Sequence, residues 1–353
     1  MYKRNNWSFL VFMILGIFII AGCSSNNNGN SDNDTNTEGN NATTDEVEEV
    51  SIQLAHHHAA GSVLDNLAND IAEKVSNSSD GNMTIDVFPS GQLGEEMELI
   101  EGLDIGTVDM AMVSPSLMSD FGDVFGVDTL PFIFEDTNHV SNAFNGEFGD
   151  NLKEILLDNS NINMQGYIIF GARQMFTTEK VENLDDFKGL KIRSPEAWMW
   201  SRMFELLKAN PTPIPFGEAY TAIENNVVSG MEVPPSMAID LNLDEVVDNV
   251  ALTDHMYGTM SISINNDLYQ DLSDAQKKIL DEAINETLEH YNSEVIPKDE
   301  EEKLQQLEEN GVSINEVTDI DEWKNSVEQM YDEFKERAPG SEELIDNIFS
   351  AAN

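Results

Sequence analysis

Two periodicities succeed one another along most of this chain: short runs in which apolar and polar residues alternate, and longer runs with apolar residues three or four apart. Val50-Ser51-Ile52-Gln53-Leu54 predicts a strand, and a helical pattern follows from about Ser62 to Ser76. Met83 to Phe88 alternates again, then comes the Pro89-Ser90-Gly91 turn and a helix through Glu95 to Gly102. Val108 to Val113 reads as a further strand. Asp128 to Phe134 is mostly apolar and precedes a helix near His139 to Asn145, and Gln165 to Phe170 reads as a buried strand. Gly189 to Arg193 predicts a strand with Leu190 and Ile192 on one face and Lys191 and Arg193 on the other. Ser194 is then placed to cap a helix beginning at Pro195 and carrying Trp198, Met199, Met203, Leu206 and Leu207. Leu252 to His255 and Met260 to Ile264 look like strands. A long helical pattern from Asp274 to about Asn310 contains Pro297, which is expected to kink or break it. Val312 to Val317, a helix near Asp321 to Arg337 and a helix from Glu342 to Ser350 close the chain.

Such alternation implies an α/β fold built on mainly parallel sheets, and the length suggests two lobes. Residues 48–170 with 256–297 are expected to form one lobe, and 171–255 with 298–353 the other. The crossings between them fall at Gly171-Ala172-Arg173-Gln174 and near Thr253 and His255.

The N-terminus breaks the pattern. Lys3 and Arg4 precede an uncharged apolar run from Trp7 to Gly22, shorter than the ~20 residues of a bilayer-spanning helix. Ile20-Ala21-Gly22-Cys23 resembles the cleavage box of bacterial lipoproteins, so residues 1–22 are read as a signal peptide, with a retained anchor helix as the alternative. Cleavage leaves Cys23 lipidated and the protein extracytoplasmic, anchored to the outer face of the cell membrane. Residues 23–47, nearly all Asn, Ser, Thr, Asp, Gly and Glu, suit a disordered tether. With one cysteine in the chain, no intrachain disulfide forms and stability rests on the core.

Eighteen basic residues stand against 66 acidic ones, a net charge of −48. That excess argues against nucleic-acid binding and suits high-salt or alkaline surroundings, where solvated carboxylates repel one another over a shortened range. It also makes each arginine informative. There are five, and Arg173 and Arg193 lie among apolar residues. Arg193 stands at a strand's carboxyl end, where open α/β sheets bind ligands, and a guanidinium presents two parallel donors to a carboxylate. His56, His57 and His58 sit in a strand-to-helix loop expected either to line a cleft or to pack as an ordinary loop. No cysteine or spaced Glu-His motif supports a metal, and no cofactor is expected. Trp198 and Trp200 are two apart on a helix, so at most one reaches a cleft. Neither a Gly-x-Ser-x-Gly elbow nor paired carboxylates at a recognisable spacing points to an enzyme.

Several segments together resemble one family. Phe88 to Glu95, Gly106 to Met110, Leu130-Pro131-Phe132, Gly171-Ala172-Arg173, Asp186 to Arg193 and Pro211 to Tyr220 look like the solute-binding subunit of tripartite ATP-independent periplasmic (TRAP) transporters, from about Glu48 to the C-terminus. The resemblance implies a two-lobed, periplasmic-binding-protein-like fold with a ligand cleft between the lobes and a long helix across both. It implies a non-enzymatic receptor, a monomer, that closes on a small carboxylate and delivers it to the TRAP membrane permease subunits.

It further implies that Arg193 forms the main salt bridge to the ligand, that Arg173 is the secondary arginine, and that Phe216 packs over the ligand. His57, Ser114, Met231 and Val233 would form other walls, with packing residues as the alternative for Met231 and Val233. Two departures stand out: Val233 occupies the place of a frequent ligand-binding asparagine, and Glu196 stands near a usual neutral polar residue. The leading ligand is a four-carbon dicarboxylate or a sugar acid. A zwitterionic compatible solute such as ectoine, whose positive end would face Glu196, is the alternative within the family, and a sensory ligand-binding lipoprotein the alternative outside it.

Overall fold

A computed structural model describes residues 48–352. The signal segment, Cys23 and the tether lie outside the described residues. The strands are β1 (Val50–Ala55), β2 (Met83–Phe88), β3 (Met110–Val113), β4 (Ile162–Ala172), β5 (Gln174–Thr177), β6 (Lys191–Ser194), β7 (Asn210–Pro213), β8 (Gly230–Val233), β9 (Asn249–Leu252), β10 (Tyr257–Asn265) and β11 (Ser313–Glu316). They form two sheets, ordered β2-β1-β3-β10-β4 and β11-β9-β5-β8-β6-β7, each the centre of one lobe.

Alternation along each strand supplies two buried faces. In β3, Ala111 and Val113 join the cluster containing Leu99 and Leu103 of the helix Glu96–Ile105, whereas Met110 and Met112 join Leu67, Ile71 and Val75 of the helix Val63–Ser78. Both clusters continue into the second lobe, through Ile192 and Trp323 on one side and Met231, Val233 and Val250 on the other. Layers of helix on both faces are the arrangement expected of an α/β sheet.

The sheets are less parallel than expected: of nine strand pairings, five are parallel and four antiparallel. All four antiparallel pairings involve β5 or β10, the strands that follow a crossing between the sheets. The parallel strands end at the cleft, so a chain entering a sheet from the cleft must run against them. Arg173 alone separates β4 from β5, and its N–H donates to the Met256 carbonyl at 2.8 Å, tying the two crossings together.

Other expectations shift for local reasons. The strand expected at Leu252 to His255 ends at Leu252, because the Gln174 side chain takes the Thr253 and Asp254 amides at 2.8 and 3.2 Å and Asp254 turns to φ +42°. The mostly apolar segment from Asp128 to Phe134 begins in a short helical turn, Val127–Thr129, and Phe132 (φ +61°) donates its amide to the His255 carbonyl. The helix after β6 starts at Trp198 rather than Pro195, since the Ser194 carbonyl is still held by the Ile214 amide at 3.1 Å.

Pro297 does not break the long helix. Asp274–His290 passes through a widened turn, Tyr291–Val295, into Ile296–Glu309, and the Ile296 amide donates to the Tyr291 carbonyl five residues back. The wider turn accommodates the proline near the start of the next segment. Within that turn, the Asn292 amide group binds the Ile169 N–H (2.8 Å) and the Tyr167 carbonyl (3.0 Å), satisfying the edge of β4 as a neighbouring strand would. The long helix packs against the helix Val63–Ser78 in the first lobe and the helix Pro235–Asp240 in the second. The closing helix, Ser341–Ser350, packs on Thr137–Phe144 and Glu147–Asn159 beside β4, although residues 298–353 were expected with the second lobe. His139 Nε2 bonds the Ile348 carbonyl at 2.7 Å there.

Glu300 of the long helix meets the crossing itself. Its carboxylate lies against Gly171, whose φ of +109° and missing side chain leave the space, and accepts the Ser236 amide at 3.2 Å. Burial, aided by the charges of Asp299 and Asp240, pushes its carboxyl from 4.5 up to about 8. The folded state thus keeps a proton that the unfolded chain releases, so this group's stabilisation is full below pH 4.5 and declines as pH rises towards 8. Glu300→Gln should melt several degrees above the parent in alkaline buffer and alongside it in acid below the ordinary glutamate range. Melting curves across pH check this; parallel curves would show that no proton is held.

Candidate functional site

The carboxyl ends of the parallel strands converge on a cavity of ≈ 90 Å³ between the lobes. It holds several water-sized groups, each of which requires about 10–15 Å³ by the same measure. His57, Glu96 and Ser114 line it from the first lobe, Arg193, Trp200 and Phe216 from the second, and Arg173 from the crossing. Glu196 sits exposed at its rim.

Arg173 is the most constrained of these. Its Nε and Nη2 grip both carboxylate oxygens of Glu232, Nη2 at 2.9 Å from Oε1, and Nη2 also donates to the Glu232 carbonyl at 3.0 Å. Glu232 is fully buried, with His255 Nε2 3.6 Å away and His255 Nδ1 2.8 Å from Thr253 Oγ1. Burial is the largest influence on the Glu232 carboxyl and pushes it up. The Arg173 charge, with the contacts from His255 and Arg173, outweighs it and holds the group at about 2.

Arg193 presents the opposite case. It is 4 % exposed, and its one side-chain hydrogen bond among the described residues runs from Nε to the Ile214 carbonyl at 2.8 Å. Burial lowers its guanidinium to about 10; Glu232, Glu96 and Glu196 act against that at longer range, and Arg173 reinforces it. The side chain lines the cavity, and no carboxylate of the described residues forms a salt bridge with it.

Aromatic rings bridge the cleft around this cation. The Arg193 guanidinium lies 5.9 Å from the Phe216 ring centroid, and His57 meets the same ring edge-on at 5.2 Å. His57 Nδ1 stands 3.7 Å from Glu96, whose carboxylate also takes the Ser114 amide. Trp200 enters the cavity wall, whereas Trp198 stacks on Phe334 with Arg337 over it, as their spacing requires.

Met231 and Val233 are a correction. Both are fully buried in the apolar cluster that runs from the first lobe into the second, and neither lines the cavity. Alternation along β8 explains it: Met231 and Val233 share the core face, and Glu232 between them takes the side towards Arg173. Glu232 and Glu96 were missed as site residues, and Trp200 is the one of the two helix tryptophans that reaches the cavity. A lone acid in the apolar run Met231-Glu232-Val233 was the available signal for the first; Glu96 carried none beyond its place at a helix start. Among the described residues, no His, Cys, Asp and Glu cluster of three or more is placed to hold a metal, and no helix is long and apolar enough to cross a membrane.

Removing one partner of a buried ion pair costs about 3–5 kcal/mol, so ligand-free Glu232→Gln should melt far below the parent at neutral pH. The Glu232 carboxyl lies below its ordinary 4.5 when folded, so its stabilisation is complete above 4.5 and is lost as pH falls through about 2. Denaturant titrations should therefore show the deficit of the variant shrinking in acid; a deficit independent of pH would separate this pair from the linkage.

Residues 54–337 match the family model described as bacterial extracellular solute-binding protein, family 7. The chain is 25% identical over 285 residues to the sialic acid-binding periplasmic protein SiaP of Vibrio cholerae, covering 81% of this chain and 88% of that protein. Among solved structures, it resembles the sugar acid binding protein DctPAm of Advenella mimigardefordensis in complex with galactonate (TM-score 0.82, 25% identity, 86% of this chain and 99% of that one). It also resembles a TRAP periplasmic solute binding protein of Roseobacter denitrificans with bound β-D-glucuronate (TM-score 0.81, 26% identity, 85% and 99%). With most of its length in the match and the two-lobed architecture in common, the chain belongs to bacterial extracellular solute-binding protein family 7, the solute-binding proteins of TRAP transporters.

Proposed function

We propose that this protein is the extracytoplasmic receptor of a TRAP transporter, that it binds a small organic acid through an Arg193–carboxylate salt bridge, and that it delivers the acid to the membrane permease. The observation that carries the reading is a guanidinium that is 4 % exposed with its terminal nitrogens uncommitted, beside a second arginine already neutralised by Glu232. An enclosed cation without an anion is costly, and a ligand carboxylate is the group that removes the cost. The relatives' ligands, sialic acid, galactonate and glucuronate, are all sugar acids; a four-carbon dicarboxylate meets the same requirement. Phe216 covers the ligand, His57, Ser114 and Glu96 form the first-lobe wall, and lobe closure supplies the dry surroundings in which the salt bridge is strong.

Glu96 favours a second reading. A carboxylate in the cavity wall beside aromatic rings suits the positive end of a zwitterion, and exposed Glu196 at the rim adds to it. Titration with ectoine alongside sugar acids and dicarboxylates separates the two.

Arg193→Lys keeps the charge but replaces a fixed fork by a single flexible donor. Losing one charge-assisted bond is worth about 1.5–3 kcal/mol, so affinity for the best-bound acid should fall roughly tenfold to a hundredfold. The ligand-free variant should melt within a few degrees of the parent. Calorimetric titration decides it, and parental affinity in the lysine variant would assign Arg193 a structural role.

The same reading makes the protein a lipid-anchored monomer tethered through Cys23. Cys23→Ala should appear in the soluble fraction or remain unprocessed; a processed product that stays with membranes would remove the lipid from the account.

A further inference from the structure

Trp200 holds a polar group for which the protein has no use. The residue is 5 % exposed and lines the same cavity as Arg193, and its Nε1 is enclosed without a hydrogen-bond partner among the described residues. An indole nitrogen only donates, so it cannot be satisfied by rotation as a hydroxyl can; it needs an acceptor.

The ring is held where it is. The Arg173 guanidinium lies 5.8 Å from its centroid, and Arg173 is itself clamped by Glu232. Met199 and Met203 fix the helix Trp198–Leu206 in the core. The other described tryptophans behave differently. Trp323 donates its indole N–H to Asp319 at 3.2 Å, and Trp198 lies outside the cavity against Phe334. An unsatisfied donor thus occurs at the one tryptophan in the cleft wall.

We infer that Trp200 is a specificity-determining residue whose indole N–H pairs with an oxygen of the ligand other than those of the carboxylate held by Arg193. This rests on the carboxylate-binding reading above. Its ligands are then acids that carry a second oxygen acceptor, a hydroxyl, an oxo group or a second carboxylate, placed to meet the indole while the first carboxylate meets the guanidinium. No protein acceptor among the described residues reaches the N–H, and an oxygen carried by the ligand is the group assigned to pair it. Buried donors built for a ligand oxygen reject analogues that lack it, because the donor is then left unsatisfied.

Trp200→Phe keeps an aromatic ring for Arg173 and removes the N–H; Trp198→Phe is the control outside the cavity. Both are titrated by calorimetry with D-galactonate, D-glucuronate, L-malate and succinate, beside the parent and Arg193→Lys. For the acid that the parent binds best, Trp200→Phe should weaken binding roughly tenfold, the worth of one hydrogen bond, and Trp198→Phe should leave it unchanged. In nitrogen-labelled parent protein, the Trp200 indole N–H resonance should move downfield at saturation with that acid while the Trp323 resonance stays. Parental affinity in Trp200→Phe, or an unmoved Trp200 resonance at saturation, overturns the inference and leaves the Arg193 reading standing. Failure of every acid to bind the parent, or parental binding by Arg193→Lys, overturns the carboxylate reading instead.

Discussion

Two buried arginines share one buried glutamate, and the geometry gives that glutamate to one of them. Glu232 meets Arg173 through both carboxylate oxygens and a backbone carbonyl, while Arg193 feels it only at longer range. Had Glu232 stood between the two guanidiniums, each would be half compensated and neither would require a ligand. Committing it to Arg173 makes that arginine part of the frame and leaves Arg193 one anion short. Strand alternation makes the choice: β8 turns Glu232 towards the crossing, where Arg173 separates β4 from β5.

That frame also joins the site to whatever moves the lobes. The chain crosses between the sheets at Arg173 and again at residues 253–256, and the Arg173–Met256 hydrogen bond holds the two crossings together. Glu300 from the long helix packs on Gly171, two residues before Arg173. Away from the crossings, His57 of the first lobe meets Phe216 of the second directly over the Arg193 face. The proposed lobe closure would therefore alter the cover over Arg193, while the Arg173–Glu232 clamp sits at the crossing itself.

Most of the architecture was legible in the sequence because it follows from periodicity. The strands at Val50 and Met83, the helix at Ser62 and the position of Arg193 at a strand end come from local pattern alone. What was illegible depended on partners far away in sequence. Pro297 looked like a helix breaker, and only the widened turn at Tyr291–Val295, whose Asn292 grips the edge of β4, shows how the helix survives it. Leu252 to His255 has the composition of a strand, but Gln174 captures its amides. The site divides the same way. Arg193 and Arg173 stood out by residue type and position, and Phe216 and His57 by the family resemblance; all four line the cavity, whereas Met231 and Val233 lie in the core, because a short apolar run does not reveal which of its faces is core. Glu232 lay between them, and its partner was 59 residues away.

The charge of the molecule acts at a different distance from the charge of the site. A net charge of −48 repels any approaching anion, but exposed charges are screened beyond about 8 Å at physiological ionic strength and about 3 Å at 1 M salt. Arg193 is enclosed, so its attraction for a carboxylate that has entered the cleft is screened far less. Salt then has opposite effects on the two stages: it eases the anion's approach through the acidic shell and barely weakens the contact inside. An acidic surface and the proposed anion-binding cleft are compatible in one chain because Arg193, the cation without a carboxylate partner among the described residues, is buried at the point where the two lobes meet.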